Sequence, residues 1–197
     1  MSEDIKQMWD EKYRESHEAQ GIAVEVLQEN LHLLPRQGRA LELACGLGAN
    51  ALLLSAHGLE AHAWDISAVA IERLNTLAHK RGLHIHTKVH DVLLHPPEPA
   101  SFDVIVVSYF LDRALIPHIV AALRANGLLF YQTFTRTRVS DAGPQNEDFR
   151  LANNEFLDLF ADMHIVLFRE EGRIGDLEHG LRDEAYIIAQ KKSGLIA

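Results

Sequence analysis

Gly46 and Gly48 stand between a strand-like run, Arg39 to Cys45, and a helix-like run that begins at Asn50. At such a junction glycine lets the backbone approach a ligand closely, and the helix that follows presents unpaired N–H groups. Glu42 lies just before these glycines; Asp65 and Asp91 fall at the ends of two further strand-like runs. In an open α/β sheet, ligands bind beyond the carboxyl ends of the strands, so three carboxylates and a glycine loop would share one site.

Two ligand classes compete for it. Gly46, Gly48 and Ala51 fit the loose dinucleotide-binding pattern, with Asp65 at the spacing of a ribose-binding acid, which favours a nicotinamide-dependent reductase. Glu42 separates the two. A carboxylate beside the loop repels a pyrophosphate but suits a ligand carrying ammonium and sulfonium charges, such as S-adenosylmethionine. In that reading Asp65 accepts both ribose hydroxyls. Asp91 accepts from the adenine amino group, and Val92 adds a backbone N–H and an apolar edge.

The elements that position these residues alternate. Strands are expected at Arg39 to Cys45, Glu60 to Ile66, Ile85 to Val92, Phe102 to Tyr109 and Leu128 to Phe134. Helices are expected at 50–57 and after Ser67, a good N-cap, with further ones at Pro117 to Ala125 and from Asn153 or Asn154 to Phe160. The run Phe102 to Tyr109 is apolar enough for a central strand buried on both faces. The last two strands, His164 to Arg169 and Glu184 to Gln190, are joined by a short glycine-rich segment better suited to an antiparallel hairpin than to a helical crossover. The expectation is one α/β domain over 1–197. Residues 1–38 form a helical appendage on a core of 39–197, and the polar segment 135–150 is a candidate lid.

Of the 197 residues, 28 are acidic and 19 basic, a net charge of −9 that disfavours duplex nucleic acid as a partner. Cys45 is the lone cysteine, and the chain opens without a basic and apolar leader, so a reducing cytoplasm is expected. No apolar run approaches the length of a membrane span. Among the twelve histidines, His84 and His86 fall on one face of a strand, but no third ligand stands at a motif spacing nearby, so no metal is expected. Oligomeric state carries no signal in the sequence.

The segment Leu41-Glu42-Leu43-Ala44-Cys45-Gly46-Leu47-Gly48-Ala49-Asn50 resembles motif I of the class I methyltransferases, in particular the TehB-like group. Trp64-Asp65-Ile66-Ser67 is similar to motif II, His90-Asp91-Val92 to the adenine-side motif, and Phe102-Asp103-Val104-Ile105 to the strand before the active-site mouth. The opening Met8-Trp9-Asp10-Glu11-Lys12-Tyr13 is similar to that group's first segment. The resemblance implies a Rossmann-like, seven-stranded, mostly parallel sheet with an antiparallel final strand and helices on both faces. It also implies S-adenosylmethionine as cofactor, with Gly46 and Gly48 along its methionine portion. Ala44 replaces the group's usual first glycine, and Ala49 replaces the basic residue common before Asn50, which weakens the case for an oxyanion such as tellurite.

Methyl transfer needs alignment more than acid–base machinery, and no local nucleophile–base motif is present. Ser108 and Tyr109 are expected at the mouth of the site. Trp9 and Tyr13, four apart on a helix, are expected to close over the ligand. His179, Arg182 and Arg173 are candidates to face the acceptor, and Cys45 reads as a small core residue. The acceptor expected is a small molecule, with sulfur or another chalcogen as the atom methylated. A cofactor-binding module without turnover is the non-enzymatic alternative.

Overall fold

A computed structural model describes residues 2–16 and 21–193. Its strands are β1 (Arg39–Leu43), β2 (Glu60–Asp65), β3 (Ile85–Val89), β4 (Phe102–Ser108), β5 (Leu123–Phe134), β6 (His164–Glu170) and β7 (Glu184–Gln190). They form one sheet in the order β3-β2-β1-β4-β5-β7-β6. The first five are parallel, whereas β7 is antiparallel to both β5 and β6, as the short glycine-rich connection requires. Val104 to Val107 of β4 are fully buried, the expected state of an apolar strand covered on both faces.

The helices are α1 (Ser2–Glu15), α2 (Glu25–Glu29), α3 (Ala49–Ala56), α4 (Ala68–Lys80), α5 (Ile116–Ala122) and α6 (Glu155–Leu159). On one face, Val26, Leu27 and Leu54 pack against Val104, Val106, Phe130 and Ile188. On the other, Ile116, Ile119 and Phe156 pack against Leu41, Ile105, Tyr131 and Ile187. A helixless segment, 90–101, connects β3 to β4, so neither α5 nor α6 extends over β2 and β3 on that second face. Among the described residues, no helix is long and apolar enough to cross a membrane.

Element boundaries move where the backbone turns left-handed. β1 stops at Leu43, because Ala44 has φ 51°, and β4 stops at Ser108, because Tyr109 has φ 53°. β3 ends at Val89 rather than Val92, since Asp91 caps a turn by accepting from the amides of Leu93 and Leu94. The helix expected through Ala125 ends at Ala122, and the next strand starts at Leu123, paired with Phe102. Asn154 holds the position before α6, but its side chain makes no cap.

The helical appendage does not lie over the sheet as one unit. α2 packs on it, while α1 docks against the start of α4 through Asp10, whose Oδ1 accepts from the Ser67 hydroxyl and the Val69 amide. Segment 135–150 is pinned, contrary to a free lid. Buried Arg150 donates to the carbonyls of Pro144 (2.7 Å), Thr135 (2.7 Å) and Ala142, and Asp183 accepts from the amides of Val139 and Ser140 and from the Ser140 hydroxyl. Replacing Arg150 with methionine strands three carbonyls. We expect a loss of about 3 kcal/mol or more in urea denaturation, because a charged donor contributes roughly 1.5–3 kcal/mol per bond.

Candidate functional site

The site is built at the carboxyl ends of β1, β2 and β4. Glu42 on β1 is buried, with 1% of its surface exposed, and both its oxygens are held by the start of α3. Oε1 accepts from Asn50 Nδ2 (2.7 Å) and Oε2 from the Ala51 amide (2.7 Å). A carboxylate against a helix N-terminus is well placed for the helix dipole. Burial nevertheless outweighs these bonds and, with the nearby charge of Asp65, pushes the Glu42 carboxyl from its ordinary 4.5 to about 8. Asn50 extends the bracket: its amide also donates to Ser108 Oγ (3.1 Å), and its Oδ1 accepts from the Val24 amide (2.9 Å).

Asp65 closes the loop from the other side. Its Oδ2 accepts from the Gly46 amide (2.7 Å) and its Oδ1 from the Ser67 amide (2.8 Å), leaving further lone pairs on both oxygens. Burial raises its carboxyl above the usual range as well. Ser67 caps α4 by accepting from the Ala70 amide (3.1 Å), as its sequence position predicts.

The glycines are required by close approach. A Cβ on Gly46 would meet the Tyr13 hydroxyl at 2.6 Å, and one on Gly48 would meet the Leu74 methyls at 2.5 Å; both residues also have positive φ. Tyr13 therefore lies directly on the loop, stacked with Trp9 at 5.6 Å between ring centroids, and α1 is anchored there by Arg73, which donates to the Tyr13 and Ser16 carbonyls. The Cys45 thiol is buried and pushed well above its ordinary range by desolvation, then by Glu42 and Asp65, so it is a poor nucleophile. Ile66 is partly buried between Asp65 and Ser67. Asp91 stands two residues beyond the end of β3, and Val92 packs in the core beside Leu43 and Val107.

Tyr109 reaches a second space. A cavity of about 560 Å³ is bordered by Tyr109, Gln132, Glu184, Glu25 and the pinned residues Val139 and Ser140. Gln132 is buried, accepts from the Val26 amide (2.8 Å) and donates to Glu184 Oε2 (2.7 Å). Glu184 lies beside the Tyr109 phenol, and desolvation lifts its carboxyl above the usual range. The sequence does not single out Gln132 or Glu184; the signal available is the polar pair Gln132-Thr133 inside the otherwise apolar run Leu128 to Phe134.

The three basic candidates brace a loop. His179 is exposed and pairs with Asp176 (2.8 Å). Arg182 borders the cavity but donates to the carbonyls of His179, Gly172 and Asp176, and Arg173 donates to the carbonyl of Arg138.

A glycine loop and acidic strand ends at the carboxyl edge of a seven-stranded sheet with a reversed β7 define the Rossmann-like fold of the class I methyltransferases. The family model described as Tellurite resistance protein TehB matches residues 5–187, and the chain belongs to that family. A curated relative from Haemophilus influenzae, named "Probable S-adenosyl-L-methionine-dependent methyltransferase TehB", is 29% identical over 166 residues. The match covers 78% of this chain and 57% of the relative, so the chain spans little more than half the length of the curated relatives it matches. The crystal structure of TehB from Haemophilus influenzae superposes with a TM-score of 0.68 at 24% identity, over 95% of this chain and 67% of that one. A geranyl diphosphate C-methyltransferase from Streptomyces coelicolor gives 0.69 at 13% identity, over 96% and 97%. At these identities the superpositions speak for the fold.

The raised Glu42 carboxyl carries a pH signature. The folded chain binds a proton at Glu42 that the unfolded chain releases near 4.5, so the contribution of Glu42 to stability is full below that value and is lost as pH rises toward about 8. Asp65 acts in the same direction. Thermal melts of the free protein should show the midpoint dropping across that window, and Glu42→Gln should flatten the slope.

Proposed function

We propose that this chain is an S-adenosylmethionine-dependent methyltransferase acting on a small neutral acceptor. The observation that carries the reading is the pair of buried carboxylates, Glu42 and Asp65, on either side of the Gly46–Gly48 loop. Burial raises both, and a cationic ligand would favour their ionised forms, whereas a pyrophosphate would raise them further. The membership in the TehB family supports the same cofactor.

The residues fit the group. Asp65 has lone pairs for ribose, Asp91 with Val92 would flank the adenine end, and the Gly46–Gly48 loop, against which Tyr13 and Leu74 pack, would run along the methionine portion. Trp9 and Tyr13 on α1 close over the loop and exclude water. Bound S-adenosylmethionine supplies an electrophilic methyl on a sulfonium. The chain's task is then to align an acceptor and receive its proton.

The cavity beside Tyr109 suits that acceptor. Glu25, Asp183 and Glu184 line it, and its one arginine, Arg182, is engaged with three carbonyls. An anion such as tellurite is disfavoured there by like charge. A neutral thiol or related chalcogen nucleophile is favoured, with Glu184 holding the departing proton on its carboxylate and Tyr109 orienting that carboxylate. The raised Glu184 carboxyl makes it a stronger base than an exposed glutamate.

Calorimetry should show S-adenosylmethionine binding with release of protons near neutral pH, since a cation beside Glu42 restores its ionised form. Glu42→Gln should abolish that release, and NADH should give no heat. Tight NADH binding without S-adenosylmethionine binding would sink the proposal. With a panel of thiols, phenols, amines, selenite and tellurite, turnover should favour the neutral thiols. Glu184→Gln should lower turnover by roughly 10²-fold or more with cofactor affinity unchanged, the size of a lost general base. Cofactor binding without turnover on any acceptor would favour the non-catalytic module.

A further inference from the structure

The amino-terminal edge of β2 and β3 carries a cluster that the loop end of the sheet does not use. His62 and His86 are register partners on adjacent parallel strands, so their rings leave the same face and stack with centroids 4.7 Å apart. Glu60, two residues before His62, shares that face. Its Oε1 lies 3.0 Å from His62 Nε2 and 3.9 Å from His86 Nε2, and one donor atom from each of the three lies within 4.8 Å of the others. A cavity of about 390 Å³ bordered by Glu60, His84 and His86 opens beside them. The His84 ring is 4.8 Å from that of His86.

His62 Nε2 faces two groups with opposite demands. Glu60 Oε1 calls for a proton on that nitrogen, whereas Arg39 Nη2, 3.3 Å away, is donor-only and calls for a lone pair. No tautomer satisfies both. A cation between the carboxylate and the two rings does, provided Arg39, which also pairs with Glu60 Oε1 at 3.3 Å, gives up that ion pair and withdraws to the Ser101 carbonyl and the Phe102 ring. Two imidazoles and a carboxylate suit Zn²⁺ and the neighbouring divalent transition ions rather than Mg²⁺ or Ca²⁺.

We propose that Glu60, His62 and His86 form a binding site for a Zn²⁺-type divalent ion at the end of the sheet opposite the glycine loop. Glu60 and Asp65 are the first and last residues of β2, so roughly 16 Å of strand separates the two sites. The ion ties β3, the edge strand, to β2 and takes no part in handling the acceptor. The sequence pairs only His84 with His86; Glu60 and His62 arrive from another strand through the register.

Untagged protein stripped with EDTA and titrated with Zn²⁺ at neutral pH should bind one ion per chain, with a thermal midpoint raised by Zn²⁺ and not by Mg²⁺. His86→Ala and Glu60→Gln should each weaken binding by about 100-fold, at least the loss seen when groups that merely support a ligand are removed. Arg39→Gln removes the competing cation and should tighten it. His164→Ala, on β6, should leave it unchanged, and none of these variants should alter affinity for S-adenosylhomocysteine. Equal weakening by His86→Ala and His164→Ala, weaker binding in Arg39→Gln, or no saturable binding at millimolar Zn²⁺ would overturn the site.

Discussion

The burial of Glu42 constrains everything built at the carboxyl edge of the sheet. A carboxylate in the centre of a parallel sheet requires partners, and α3 supplies them from the Asn50 side chain and the Ala51 amide. Holding α3 there fixes where the loop before it must end. Asn50 then carries the same constraint outward, binding the Val24 amide ahead of α2 and the Ser108 hydroxyl at the end of β4. One buried acid thereby sets the relative positions of the loop, of α2 through its leading residue, and of the strand that delivers Tyr109. Its hydrogen bonds do not balance the desolvation, which is why it retains a proton near neutrality and why a cation nearby is worth so much to this fold.

The two faces of the sheet are treated unequally. Between β3 and β4 the chain crosses without a helix, and the outward residues of β2 and β3 on that face are Glu60, His62, Trp64, His86 and Lys88 instead of an aliphatic layer. The strip holds itself by ring contacts: His62 and Trp64 each meet Phe102 edge-on, and Lys88 lies over Trp64. Such contacts tolerate water where a Val or Leu ladder would not. The absent helix therefore explains why histidines gather at this edge, and the strand register explains why they converge.

Legibility followed the range of the interaction. The glycine loop, the strand-end acids, the Ser67 cap and the closing hairpin were readable because each depends on residues near one another in the chain. Gln132 with Glu184, and Glu60 with His86, depend on which strands are neighbours and in what register, which periodicity does not encode. His179 and Arg182 illustrate the same limit. Charge and location near the hairpin are legible in the sequence, but their partners, Asp176 and the carbonyls of a glycine-rich loop, depend on how that loop folds back. Length likewise suggested a lid at 135–150, where a buried arginine, a residue type seldom fully enclosed, fastens the segment down.

Ala44 shows how far local rules can be overridden. An alanine with φ 51° forgoes the freedom glycine would provide, at about 1–2 kcal/mol by the steric preference of L-residues. The family pattern has glycine there, so the sequence alone reads as a weakened loop. The structure keeps the turn because its flanks are over-determined: Leu43 is locked in the sheet, the Cys45 amide donates to the Trp64 carbonyl, and the Gly46 amide donates to Asp65. With three successive anchors the intervening residue has one conformation available, whatever its preference. The left-handed turn at this loop is thus a property of Asp65 and the β1–β2 register, and the glycines that remain, Gly46 and Gly48, are kept by contact with Tyr13 and Leu74.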